Sequence, residues 1–121
     1  MYIRFVISRQ NEDSRQFEGI FKAAYRLLDG ATLDSAEWQL LRADVDWFVK
    51  NLPVPKHRPH PRAIFWFRSE ATECTRRAWE MVQLLRLHGE NVEMIKSRSP
   101  GRIVYFDGMQ AAAIPSRRRA Q

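Results

Sequence analysis

The sequence predicts an α+β domain in which three helices pack on a mixed sheet of four or five strands, and three observations carry that expectation. Ala63 to Phe67 form a short apolar run between Arg62 and Arg68, and a strand apolar on both alternating faces is usually buried on both. Directly after it, Ala71, Cys74, Ala78, Met81, Val82 and Leu85 recur at three- and four-residue spacing, the stripe of an amphipathic helix. Gly89 closes that helix and a new apolar segment, Val92 to Ile95, follows almost at once. The result is a strand, helix, strand crossover whose two strands run parallel.

The remaining elements follow in chain order. Tyr2 to Ser8 alternates, with Ile3, Phe5 and Ile7 on one face, and predicts a strand covered mostly on one side. Asn11 to Gln16 is polar and holds several candidate N-caps; Phe17, Ile20, Phe21, Ala24, Leu27 and Leu28 then trace a first helix that stops at Gly30. Asp34 and Glu37 are spaced as a capping box, with Leu33 and Trp38 as its hydrophobic staple, so a second helix begins at Asp34. Trp38, Leu41, Val45, Phe48 and Leu52 continue one face until Pro53 and Pro55 end it. Leu52 to Pro61 is proline-rich and expected to be irregular. Ser69 stands where the N-cap of the third helix belongs, which puts the helix start at about Glu70. Ser99, Pro100 and Gly101 suit a tight reversal, so Ile103 to Phe106 should run back antiparallel to Val92 to Lys96. Asp107 and Gly108 mark another turn, and Met109 to Ile114 reads as a short edge strand or a segment lying across the sheet.

A chain of 121 residues has room for one domain, expected over residues 1–115, with a basic, disordered tail over 116–121. Hydrophobic residues at 45% and charged residues at 28% match globular averages and exclude wholesale disorder. The single cysteine allows no internal disulfide and suits a reducing compartment. The run Tyr2 to Ile7 is broken by Arg4 and is too short for a signal peptide or a membrane span, so the expectation is a cytoplasmic protein with no membrane partner.

The net charge of +6 is segmented. Residues 1–49 carry −2 and residues 63–95 carry −1, whereas residues 50–62 carry +4, residues 96–102 carry +3 and residues 103–121 carry +2. This is a set of basic loops and a tail rather than one basic face. If the first strand runs parallel to Ala63–Phe67, the parallel strands share one C-terminal end, which collects Arg9, Arg68, Lys96, Arg98 and Arg102. The proline-rich segment would then sit at the opposite end of the sheet.

The strings Ile3-Arg4-Phe5-Val6-Ile7, Asp46-Trp47-Phe48, Ala63-Ile64-Phe65-Trp66-Phe67, Leu84-Leu85-Arg86-Leu87-His88-Gly89 and Arg102-Ile103-Val104-Tyr105 resemble those of a family of small bacterial proteins of unassigned function. The resemblance spans about Met1 to Pro115 and implies a bacterial origin and a single domain. It implies no activity, cofactor or site residue.

The residues with chemistry in them have ordinary explanations beside the functional ones. Cys74 lies near a helix N-terminus and close to Arg76 and Arg77, which would lower a thiol pKa, yet its spacing puts it on the stripe facing the sheet, as a buried structural cysteine. His57 and His60 sit among Lys56, Arg58 and Arg62, with His88 as the third histidine, and no ligand spacing joins them, so no metal is expected. Trp38 and Trp66 read as core; Trp47 and Trp79 fall off the main stripes of their helices, at a partner surface or the edge of the core. No Walker loop, dinucleotide glycine pattern, nucleophile elbow or H-E-x-x-H helix is present, and Asp107, beside Tyr105, is the one carboxylate kept as a candidate catalytic group. An enzyme is therefore the weaker expectation, and no cofactor is called for.

The resulting expectation is a small non-catalytic binding domain that meets the phosphates of RNA or DNA through Arg9, Arg68, Lys96, Arg98 and Arg102. Two alternatives stay open: a protein-interaction module, including a homodimer, and a small hydrolase or transferase acting on a phosphorylated substrate.

Overall fold

Ile3, Phe5 and Ile7 share one face of the first strand, and the helices pack on that face. The structure is a computed structural model that describes residues 1–10, 17–57 and 59–116. Its elements are β1 (Tyr2–Gln10), β2 (Phe17–Gly19), α1 (Ile20–Asp29), α2 (Ser35–Asn51), β3 (Ile64–Arg68), α3 (Thr72–Leu87), β4 (Val92–Ser97), β5 (Arg102–Phe106) and β6 (Gln110–Ile114). Over the described residues the chain is a single α+β domain with three helices, as the sequence predicts. The sheet has a sixth strand, β2, which is three residues long and takes the place of the expected first turn of α1.

Strand order is β2-β1-β3-β6-β5, with β4 on the other edge of β1, and every neighbouring pair is antiparallel. The β3–α3–β4 crossover does place its strands in the same sense, with β1 between them. Three expectations about the sheet fail, the first being that β6 lies between β3 and β5 and not at an edge. β1 runs antiparallel to β3, because two helices and a short strand intervene and return the chain by a route other than a simple parallel crossover. β5 pairs with β6 and not with β4, because the Asp107 turn supplies the hairpin; Asp107 N–H donates to Gln110 O, and the Asp107 carboxylate accepts from Met109 N–H and Gln110 N–H.

That pairing bends the sheet. Five Cα steps separate Ser97 from Arg102 and reach less than about 18 Å. β4 and β5 lie four strand spacings apart, which in a flat sheet is about 19 Å before any displacement along the strands. A flat sheet cannot be closed by that link, so the sheet is strongly coiled and its edges approach one another. Gly101, at φ +127°, makes the link and rests on the carbonyl of Ile114, where a Cβ would collide.

The core lies between the sheet and the helices and joins Phe5 and Ile7 to Leu41, Val45, Met81 and Leu85. The capping box at Asp34 and Glu37 is formed in both directions. At α3 the expected cap is absent: the helix begins at Thr72, after a turn in which Ala71 N–H donates to Arg68 O, and Ser69 N–H instead bonds Met1 O across to β1. Gly89 closes α3 at φ +96°, as the sequence predicts. Trp38 departs from its expected core position and stands half-exposed, its indole N–H donating to Leu28 O between α1 and α2. Trp79 and Trp47 are partly buried against the core, Trp79 edge-on to Phe5 and Trp47 edge-on to Phe48.

Candidate functional site

Register fixes where each basic side chain lies. Arg68 ends β3 beside Tyr2, and Lys96 lies opposite Ile3, so these two share one end of the sheet. Arg9 is near the other end of β1, beyond the Ile7↔Val92 rung, because β1 is antiparallel; its side chain lies outside the described atoms. The five predicted residues therefore do not form one cluster. Arg68 is also engaged within the fold: it donates to Asp107 O at 3.1 Å and stacks over Phe106 at 4.4 Å.

The structure brings together a different set. Arg102 pairs with Ile114 at the end of β6, and Ala113, the preceding residue of β6, is opposite Ile64 at the start of β3. This places Arg102 beside Arg62, and the two line one open concavity with Gly101, Ile114, Pro115 and Ser116. The proline-rich segment thus ends next to the β4–β5 link rather than at the opposite end of the sheet. Arg98 lies on that link and Lys96 just before it, both exposed.

Charge pairing separates these residues from four of the five helical arginines, the fifth, Arg86, donating to Val92 O. Arg26, Arg42, Arg76 and Arg77 each meet a carboxylate, at 3.0 Å (Glu90), 3.1 Å (Asp46), 2.7 Å (Glu73) and 2.9 Å (Glu73). Among the described residues, Arg62, Lys96, Arg98 and Arg102 have no carboxylate partner. The basic tail at Arg117–Arg119 lies outside the described residues.

A second feature opens inside the sheet. β1 and β3 pair at Tyr2↔Arg68 and Ile3↔Phe67 and then part, because β2 takes over the edge of β1 from Val6↔Gly19 onward. Between the parted strands is a slot of about 260 Å³ lined by Arg4, Phe5, Val6, Ile64, Phe65 and Trp66, with Phe21 and Phe67 among its other walls. Arg4 stacks over Trp66 at 5.5 Å and, among the described residues, meets no carboxylate. Burial lowers its pKa from the usual guanidinium value.

The other candidate groups have structural roles. Burial pushes the Asp107 carboxyl up, but hydrogen bonds from Tyr105, Met109 N–H and Gln110 outweigh it and hold the group below the usual carboxylate range. Those bonds make Asp107 the keystone of the β5–β6 turn. Burial pushes the Cys74 thiol up to about 12, and the charge of Asp107 adds to the effect, so Cys74 is a core residue and a poor nucleophile. His60 Nδ1 accepts from Arg62 N–H, and His88 Nε2 lies 3.1 Å from Glu37 Oε1. Among the described residues no group of three His, Cys, Asp or Glu side chains is placed to hold a metal ion, and no helix is long and apolar enough to cross a membrane.

Sequence reasoning missed Arg62 and Arg4 as site residues. The signal for Arg4 was present: a charge on the alternate face of an otherwise apolar strand. Arg62 had no such signal, because its neighbour Arg102 is set by which strand β5 pairs with. No protein-family model, curated protein or solved structure matches the chain.

Proposed function

We propose that the protein is a non-catalytic binding domain for the phosphate backbone of RNA or DNA. One observation carries this reading: Arg62, Lys96, Arg98 and Arg102 are exposed and without carboxylate partners among the described residues, while the helical arginines 26, 42, 76 and 77 are paired. A solvated guanidinium free of an internal acid keeps its full attraction for phosphate, and a strip of them gives affinity with little sequence preference. Arg68 stays outside the contact set because it is engaged within the fold, and Arg9, whose side chain lies outside the described residues, is not counted in it.

The test is binding of the full chain to labelled single-stranded RNA and duplex DNA across a salt series, beside a variant with Arg117, Arg118 and Arg119 changed to Gln. Steeply salt-dependent binding that survives in the tail variant supports the reading. Loss of all binding in the tail variant assigns the affinity to the tail and rejects it.

A second reading, a homodimer, is favoured by the β5 edge. Among the described residues no strand pairs with its outer side, and Ile103 and Phe106 are 39% and 53% exposed. Such an edge is a template for a second copy, whereas the β4 edge carries Glu93 and Lys96. Sedimentation across a concentration series separates the two, and an Ile103→Lys change should abolish any dimer.

A further inference from the structure

We propose that the slot between β1 and β3 is a binding site for a small organic acid, one carboxylate carried on a compact, flat, apolar body. The inference is independent of the polyanion reading, since the slot is set into the sheet and shares no residue with the basic strip.

The slot is short of hydrogen bonds on its donor side. Ile3↔Phe67 is the last rung of the β1–β3 ladder, so Phe5 and Phe65 do not pair across the slot. The indole N–H of Trp66 is buried without a partner, in a residue only 8% exposed. Arg4 adds a partly buried cation that no described carboxylate neutralises. Buried donors and charges left unsatisfied cost free energy, and native structures tolerate few of them. Trp66 and Arg4 both line this space, and the indole N–H and the guanidinium are both donors. An acceptor bearing one negative charge satisfies them together.

The remaining walls select the body of the ligand. Phe5, Phe21, Ile64, Phe65 and Phe67 make the slot predominantly apolar and aromatic. Its volume of about 260 Å³ is below that of typical drug-sized sites and admits one small group rather than a nucleotide. A phosphate dianion would remain half-neutralised there, facing a single cation in apolar surroundings, whereas a monocarboxylate is matched in charge.

The test is an NMR titration of the full, ¹⁵N-labelled chain with benzoate and, separately, with hexanoate and benzamide. The signals followed are the Trp66 indole N–H, assigned with Trp66→Phe, and the Phe5 amide. Benzoate should shift both signals saturably, and benzamide, which has the same body without the charge, should bind at least tenfold more weakly. Hexanoate should also bind more weakly than benzoate. Arg4→Met should weaken benzoate at least tenfold, while Arg62→Gln with Arg102→Gln should leave its Kd unchanged. No saturable shift with either acid, equal binding of benzamide, or full binding to a folded Arg4→Met variant would overturn the proposal. Should Arg4→Met fail to fold, the benzoate and benzamide comparison on the native chain decides. Saturable shifts of the same two signals by single-stranded RNA would assign the slot to the polymer and also overturn it.

Discussion

Arg62, at the end of the proline-rich segment, and Arg102, at the start of β5, border one concavity although they belong to segments far apart in the chain. Their proximity depends on β5 pairing with β6. It brings one arginine from each of the two most basic stretches of the sequence to the same concavity. Arg62→Glu and Arg102→Glu should therefore each weaken affinity for single-stranded RNA by about tenfold or more, roughly the 1–2 kcal/mol of a charge-assisted contact replaced by repulsion. Equilibrium binding at a fixed salt concentration checks both.

Gly101 is the joint on which that surface depends. Its φ of +127° disfavours any L side chain, and a Cβ would meet the Ile114 carbonyl. Gly101→Ala is expected to lower stability by about 1–3 kcal/mol from backbone strain alone, with the steric clash in addition. Urea unfolding reports the loss, and RNA affinity should fall with it because Arg98 and Arg102 flank the joint.

Asp44 makes the stability of the helical layer pH-dependent. It is fully buried on α2, with Oδ1 accepting from Arg77 at 3.1 Å and Oδ2 lacking a donor. Burial and the neighbouring Glu80 carboxyl together raise its pKa to about 7, against the opposing effect of Arg77. The folded chain thus holds a proton that the unfolded chain releases near pH 4. Its stabilising contribution is present below about pH 4, declines as pH rises toward about 7 and is lost above that. Unfolding free energy measured from pH 5 to pH 8 should fall, and Asp44→Asn should flatten the profile.

Cys74 is expected to resist thiol reagents in the folded state and to react rapidly in guanidinium chloride, in keeping with its burial and its raised pKa of about 12. Cys74→Ser should cost roughly 1–3 kcal/mol by burying a hydroxyl in an apolar setting. Rapid native labelling would contradict the assignment of Cys74 to the core.

Periodicity and end signals made the helices legible. The stripe of α3, the Asp34–Glu37 box and Gly89 are local statements, and local statements are what a sequence carries most directly. The start of α3 falls later than Ser69 suggests because Ser69 lies in the turn before the helix, closed by Ala71 N–H to Arg68 O. Pairing was the harder matter. Ser99-Pro100-Gly101 has the composition of a hairpin turn, yet it serves as a crossing link, and only the competing Asp107 turn decides which strand β5 joins. The parting of β1 and β3 was invisible for the same reason, since it depends on β2 occupying an edge that the hydrophobic pattern leaves open to either strand.

The most direct test of the central claim is the salt dependence of single-stranded RNA binding by the native chain and by a chain with Arg62, Arg98 and Arg102 all changed to Gln. Each phosphate contact contributes about −0.7 to the slope of log K against log salt on a single strand, so the triple variant should bind more weakly with a slope shallower by about 2. Equal slopes and equal affinities in a folded triple variant would contradict it.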